Sequence, residues 1–522
     1  MTDMLSPQDV RALLLARREI AILDLREEAP YSDAHPLFAA NMPLSRLELE
    51  AYDRLPRRDV TIVVYDDGEG VAQAGAERLK ALGYTNVHLM EGGLQGWRDA
   101  GFELFRDVNS ACKAFGELVE SRRHTPSLPA PEARALIESK QDLVVLDVRR
   151  FEEYSTMSIP RGVSVPGAEL VLRVREIAPD PNTTIIVNCA GRTRSIIGTQ
   201  SLINAGLPNP IFALRNGSIG WTLAGQTLDT GATRRFPEVS DQTAEAARAS
   251  AREVSYRAGV RRITPAVLAA LRQDLSRTVY MLDVRTPEEY EAGHIPGFIS
   301  APGGQLVQET DVSAPVRGAR IVLADDQGVR ADMSASWLAQ MGWDVMVLDG
   351  GFDGPLDTGI RAPERPAAPA VETVTVGEAG SLVEAGAVIV DLAANPVFRR
   401  GHIPGAWFAI RARLADALES LPAAETYILT SPDGALARFA APELAALSGK
   451  AVLVLRGGTA AWTEAGLPLE AGERFANEPI DVYRRPYEGT DNAAEAMQAY
   501  LDWEYGLIAQ LANDGTHGFF VI

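Results

Sequence analysis

The chain has 522 residues, which at roughly 100–200 residues per domain leads to an expectation of several domains. Hydrophobic residues make up 46% and charged residues 23%, values that exclude a disordered or collagen-like polymer. The net charge of −20, from 50 Lys+Arg against 70 Asp+Glu, argues against nucleic acid or an anionic membrane as a partner.

Two cysteines, Cys112 and Cys189, are too few for a disulfide framework and suit a reducing compartment. The opening MTDMLSPQDV lacks a basic start followed by an apolar core, and no apolar run has membrane-spanning length. The expectation is a soluble, cytoplasmic protein.

One pattern recurs four times along the chain. The first copy, in residues 1–103, has AILDLRE with Asp24, then His35-Pro36, TIVVYDD and Gly92-Gly93. The second, in 125–225, has VVLDVRR with Asp147, then Ser158-Ile159-Pro160, TIIVNCA and Asn216-Gly217. The third, in 258–358, has YMLDVRT with Asp283, then His294-Ile295-Pro296-Gly297, RIVLADD and Gly350-Gly351. The fourth, in 372–472, has VIVDLAA with Asp391, then His402-Ile403-Pro404-Gly405, TYILTSP and Gly457-Gly458. From the Asp to the first residue of the closing pair is 68, 69, 67 and 66 residues. Spacing held this closely identifies a repeated domain. Short β-branched runs alternate with helical patterns, so each unit reads as a small α/β domain with a mainly parallel sheet flanked by helices.

Between the units, residues 104–128 and 223–262 read as linkers, the second containing an exposed helix at DQTAEAARASAREV. Residues 357–372 form a Pro/Ala spacer expected to be semi-extended. In the C-terminal extension, 473–522, an amphipathic helix is expected over Asp491–Asn513. Its stripe is Ala494, Met497, Leu501, Tyr505 and Ile508. The stripe reads as packing on the protein itself, with oligomerisation, for instance as a homodimer, the alternative.

The DVR of copies 2 and 3, the HIPG of copies 3 and 4 and the Gly-Gly-x-x-x-Trp ending of copies 1 and 4, at corresponding places in the repeat, resemble the rhodanese homology domain. The resemblance covers about four fifths of the chain and implies a tandem four-domain sulfurtransferase. It also implies that the nucleophilic cysteine opens the loop after the second repeated run. That position holds Asp66, Cys189, Asp325 and Ser431. A carboxylate or an unactivated hydroxyl forms no persulfide, so unit 2 is the candidate catalytic domain and units 1, 3 and 4 are expected to be inactive.

The unit 2 loop reads Cys189-Ala190-Gly191-Arg192-Thr193-Arg194-Ser195 and leads into a helix expected from Arg194 to Ala205. The chemistry needs a thiolate, which a helix N-terminus and nearby guanidinium groups favour. Small residues let backbone N–H groups curl around an anion. Residues 140–221 carry 9 basic and 7 acidic side chains, while 276–355 carry 5 and 12. An anionic donor is therefore drawn to Cys189 and repelled at Asp325.

Arg194 is assigned the brace of the cradle and Arg192 the contact to an incoming oxyanion. Arg161 is read as solvated surface, with a further donor contact as the alternative. The Asp147–Arg149 pair is expected to tie loops together, and Trp97, Trp221 and Trp462 to cover the core. Cys112 reads as incidental, with a relay thiol as the alternative.

The leading reading is transfer of sulfane sulfur from thiosulfate to cyanide or a thiol through a Cys189 persulfide, with no cofactor and no metal. Mercaptopyruvate-type loops of the family lack these arginines. The partners expected are a small anionic donor and an unidentified thiol or protein acceptor. The alternatives are a phosphatase, whose loop is Cys-x5-Arg rather than the Cys-x4-Arg seen here, and a non-catalytic repeat scaffold or sulfur-carrier binding protein.

Overall fold

The computed structural model describes residues 3–139 and 141–522. It contains four five-stranded sheets, one per unit, and every strand pair is parallel. Within each unit the strands lie in the order first, fifth, fourth, second, third. In unit 2 these are Ser127–Leu128, Ile211–Leu214, Thr184–Asn188, Leu143–Asp147 and Val163–Ser164. The central strands are unbroken apolar runs because helices cover both faces of the sheet. Asp147 pairs in register with Asn188, so the repeated Asp and the loop beyond Asn188 emerge at the same carboxyl edge.

That Asp is a structural tie in three units. Arg26, Arg149 and Arg285 bond Asp24, Asp147 and Asp283 at 2.6, 2.7 and 2.6 Å. Each guanidinium also donates to a carbonyl further along the chain, at Ala34, Met157 or Gly293. Unit 4 has Ala393 in place of the arginine, and burial pushes the Asp391 carboxyl up to about 6. Trp97, Trp221 and Trp462 each donate their indole N–H to a carbonyl beyond their helix, at Glu103, Thr227 and Pro468. Trp97 and Trp221 are buried as expected, while Trp462 is half-buried.

The units pack against one another, and units 1 and 3 share a core in which Ile20 and Arg317 form a backbone bridge. Arg411 of unit 4 is clamped by Glu48 of unit 1 and by Glu443. Arg330 of unit 3 reaches Glu169 of unit 2 at 3.0 Å. At the same contact a Cβ on Gly304 would lie 2.9 Å from the Gly167 nitrogen, so the two backbones touch.

Two stretches expected to be linkers are working parts of the core. Residues Ser110–Arg123 form a helix that buries Cys112, Phe115, Val119 and the charged Lys113 and Glu117. Asp241–Arg257 is helical as expected but not exposed, since Ala244, Ala247, Ala251 and Val254 are buried against unit 2 and unit 3. Small alanines let this helix lie close to its neighbours, and their low hydrophobicity concealed the buried face. Of the spacer 357–372, Asp357 forms a backbone bridge with His294 and the remaining residues form no helix or strand.

The C-terminal helix runs Ala494–Asp514, and its buried side is Met497, Tyr500, Leu501, Glu504, Leu507 and Leu511. Met497 and Leu501 of the expected stripe are buried, whereas Ala494, Tyr505 and Ile508 are exposed and the buried side turns to Glu504, Leu507 and Leu511. Tyr505 and Ile508 are 51% and 37% exposed. Among the described residues no helix is long and apolar enough to cross a membrane.

Candidate active site

The loop Cys189–Arg192 leaves the strand Thr184–Asn188 and enters the helix Thr193–Asn204. Its carbonyls are turned outward by the next helix, Gly217–Leu223. Ser218 donates N–H and Oγ–H to Cys189 O at 2.9 and 3.1 Å, and Ile219 N–H reaches Ala190 O at 3.0 Å. Gly217 makes this approach work. Its φ is +54°, and a Cβ there would lie 2.3 Å from Cys189 O. The repeated second glycine therefore has a physical cause, since Gly93 and Gly458 meet Asp66 O and Ser431 O in the same way.

With carbonyls pinned outward, N–H groups point inward and form an anion cradle. In unit 1 Asp66 fills it, accepting from Gly68 and Ala72 N–H at 3.1 and 2.8 Å. In unit 3 Asp325 fills it, accepting from Gly328, Val329 and Ala331 N–H. In unit 4 the Ser431 hydroxyl accepts from Ala437 N–H at 3.4 Å. Each of these three units carries its own ligand for the cradle. Unit 2 places the Cys189 thiol there, with the N–H and hydroxyl of Ser195, the counterpart of Ala72, Ala331 and Ala437, favouring its anion.

Cys189 is 1% exposed. Burial pushes its thiol up and is the largest influence on it; Arg194 and Ser195 pull it down, while Glu504 pushes it up again. Arg194 lies at the helix start and is held by Glu153 through two bonds of 2.8 Å. Unit 3 repeats this arrangement with Arg330 and Glu289.

Arg192, expected to contact an incoming oxyanion, is occupied by carboxylates of the chain itself. It turns onto the helix Ser110–Arg123, where Glu117 accepts two of its bonds at 2.7 and 2.9 Å and Glu120 a third. Tyr505 lies over the guanidinium at 4.1 Å, and the side chain is 3% exposed. A buried guanidinium binds the nearest carboxylates, and the linker helix supplies them. Arg161 is also placed away from the site. It precedes the strand Val163–Ser164, at the opposite edge of the sheet from the loop, and donates to Ile137 O at 3.2 Å.

Ala190, Gly191 and Thr193 are buried beneath the C-terminal extension. Ala190 packs with Tyr487, Met497, Tyr500 and Leu501. A Cβ on Gly191 would meet Tyr500 Cε1 at 3.1 Å and Glu504 Oε2 at 3.3 Å. Thr193 Oγ1 reaches Glu504 Oε1 at 3.5 Å. The linker helix closes the other side, where a Cβ on Gly116 would sit 2.8 Å from Thr193 Cγ2. Cys112, on that helix, is buried and its thiol is pushed up to about 12.

Sequence reasoning did not identify Glu117, Glu120, Glu153, Tyr500 or Glu504. A signal existed for Glu153, because Glu289 stands at the same distance from its unit Asp and both units carry the loop arginine.

Four separated parallel sheets, each ending in an N–H cradle, are matched by the comparisons with known proteins. The family model of the rhodanese-like domain matches residues 6–100, 129–224, 264–355 and 375–465. The chain belongs to the rhodanese family. It is 61% identical to a crystal structure of thiosulfate sulfurtransferase from Pseudomonas aeruginosa, covering 100% of both chains with a TM-score of 0.98. Over 78 residues it is 33% identical to thiosulfate sulfurtransferase GlpE of Pseudoalteromonas translucida, covering 14% of this chain and 70% of that one. A match of 31% over 91 residues links it to the HTH-type transcriptional regulator Rv0324 of Mycobacterium tuberculosis, covering 17% of this chain. The chain spans 39% of that regulator's length.

Proposed function

We propose that the protein is a thiosulfate sulfurtransferase whose one sulfur-carrying residue is Cys189. One observation carries this reading. Where units 1 and 3 lodge a carboxylate in the cradle and unit 4 a hydroxyl, unit 2 lodges a thiol. Similarity to the Pseudomonas aeruginosa sulfurtransferase along the whole chain supports it.

In the first half-reaction the Cys189 thiolate attacks the sulfane sulfur of thiosulfate. A new S–S bond forms, the old one breaks, and sulfite leaves with the electron pair. The product is a Cys189 persulfide anion, which takes the place in the cradle that a carboxylate occupies in units 1 and 3. Backbone N–H groups of the loop and Arg194 stabilise that charge. In the second half-reaction cyanide, or the thiolate of a small or protein acceptor, attacks the outer sulfur and returns Cys189 as thiolate.

Arg192 acts as a buried strut rather than a donor contact, and Arg161 has no part in the reaction. Units 1, 3 and 4 are frame rather than catalyst. Two free cysteines and a thiolate mechanism fit the reducing cytoplasm.

The test is turnover of thiosulfate and cyanide. Cys189→Ser abolishes it, and Cys112→Ser retains most of it. Substantial turnover by Cys189→Ser overturns the assignment.

A further inference from the structure

The loop that holds Cys189 is covered by a carboxyl from outside its own unit. Glu504, on the C-terminal helix, is fully buried. Its Oε1 accepts from Tyr500 Oη–H at 2.7 Å and lies 3.5 Å from Thr193 Oγ1. Its Oε2 is buried without a hydrogen-bond partner and is aimed at Gly191, 3.3 Å from where a Cβ would stand. A buried carboxylate oxygen left unpaired is costly, so this atom awaits either a proton or a donor. Units 1 and 3 show by their own aspartates that these loops bind carboxylates.

We propose that Glu504 is a specificity-determining residue for the donor. Its carboxyl stands at the mouth of the Cys189 loop, where the oxygens of an anionic donor must lie, and admits them only when it carries a proton. The inference rests on Cys189 being the thiol that takes up sulfur. On this proposal a donor comes to the buried Sγ past Gly191, and the side chains of Tyr500 and Glu504, which lie against that glycine, give way as it enters. Protonated Glu504 donates its O–H to the donor's oxyanion, whereas ionised Glu504 repels it. A neutral reagent meets neither effect.

The charged groups facing Glu504 are Lys113 and Glu117 on the helix Ser110–Arg123 and Arg192 in the loop. Lys113 is ion-paired to Asp107 at 2.7 Å, and Arg192 is taken by Glu117 and Glu120. Tyr500 is the polar neighbour on its own helix, and Cys189 lies within its field. Burial is the largest influence on Glu504 and pushes its carboxyl up to about 7. Its protonated fraction therefore falls about tenfold between pH 6 and pH 8.

The test compares alkylation of Cys189 by iodoacetate, an anion, and iodoacetamide, its neutral analogue, in the full chain from pH 6 to pH 9. Adducts are read on the Cys189 peptide by mass spectrometry. The ratio of the two rates cancels the thiolate fraction. In the unmodified chain that ratio should fall roughly tenfold between pH 6 and pH 8. In Glu504→Gln it should stay flat at its low-pH value, and thiosulfate kcat/KM relative to the unmodified chain should climb above pH 7.

A pH-independent ratio in the unmodified chain overturns the proposal without recourse to any variant. So does an identical pH profile in Glu504→Gln, or failure of both reagents to reach Cys189. Loss of the Cys189 assignment reads out separately, as thiosulfate turnover that survives in Cys189→Ser.

Discussion

The loops of units 2 and 3 share a backbone course, an arginine at the helix start and a glutamate that holds it, but they differ in what fills the cradle. Asp325 closes unit 3 with three backbone N–H bonds, and its neighbour Arg330 is surrounded by Glu169, Glu289 and Asp326. Among the described residues Arg194 in unit 2 forms its ion pair with Glu153, and its charge also favours the Cys189 thiolate. The comparison teaches that the cradle is retained in unit 3 while the anion that fills it is built into the chain.

The largest expected effect comes from moving the thiol between these loops. Asp325→Cys in a Cys189→Ser background should give no thiosulfate turnover above background, because the three carboxylates around Arg330 already consume its charge. Turnover near that of the unmodified chain would break the comparison. Next is Arg194→Ala. Losing a charge-assisted interaction costs about 1.5–3 kcal/mol, and each ~1.4 kcal/mol is tenfold in rate. Thiosulfate kcat/KM should therefore fall by roughly ten- to a hundredfold. Alkylation of Cys189 by iodoacetamide should slow with it, since both depend on the thiolate.

Arg192→Ala should have the smallest effect on chemistry and a larger one on folding. Removing one partner of a buried pair leaves Glu117 and Glu120 uncompensated, at a cost of about 3–5 kcal/mol. The expected result is a clear drop in Tm. In the fraction that stays folded, kcat/KM should be little changed. A large fall in kcat/KM at unchanged Tm would restore the donor contact that the sequence implied for Arg192.

The unit repeat, the parallel sheets and the position of Cys189 were legible because they depend on local patterns: β-branched runs, a fixed count from each Asp, and glycine where a carbonyl presses. What surrounds Cys189 was not legible. Lys113 and Glu117 look like the solvated face of a linker, yet both are buried because Asp107 and Arg192 neutralise them. The C-terminal stripe held at Met497 and Leu501 but was misplaced beyond them, because its true course includes Glu504, a charged residue that no hydrophobic pattern counts. Arg192 was assigned by its distance from the nucleophile, but its direction is set by a helix about seventy residues earlier in the chain. Long-range partners of buried charges are the part of a site that a period or a spacing does not encode.

The most direct measurement is the mass of the Cys189 and Cys112 peptides after the protein has met thiosulfate without an acceptor. The expected result is one added sulfur atom on Cys189, none on Cys112, and loss of that sulfur when cyanide is supplied. An unmodified Cys189, or sulfur lodged on Cys112 instead, would contradict the assignment of unit 2 as the catalytic unit.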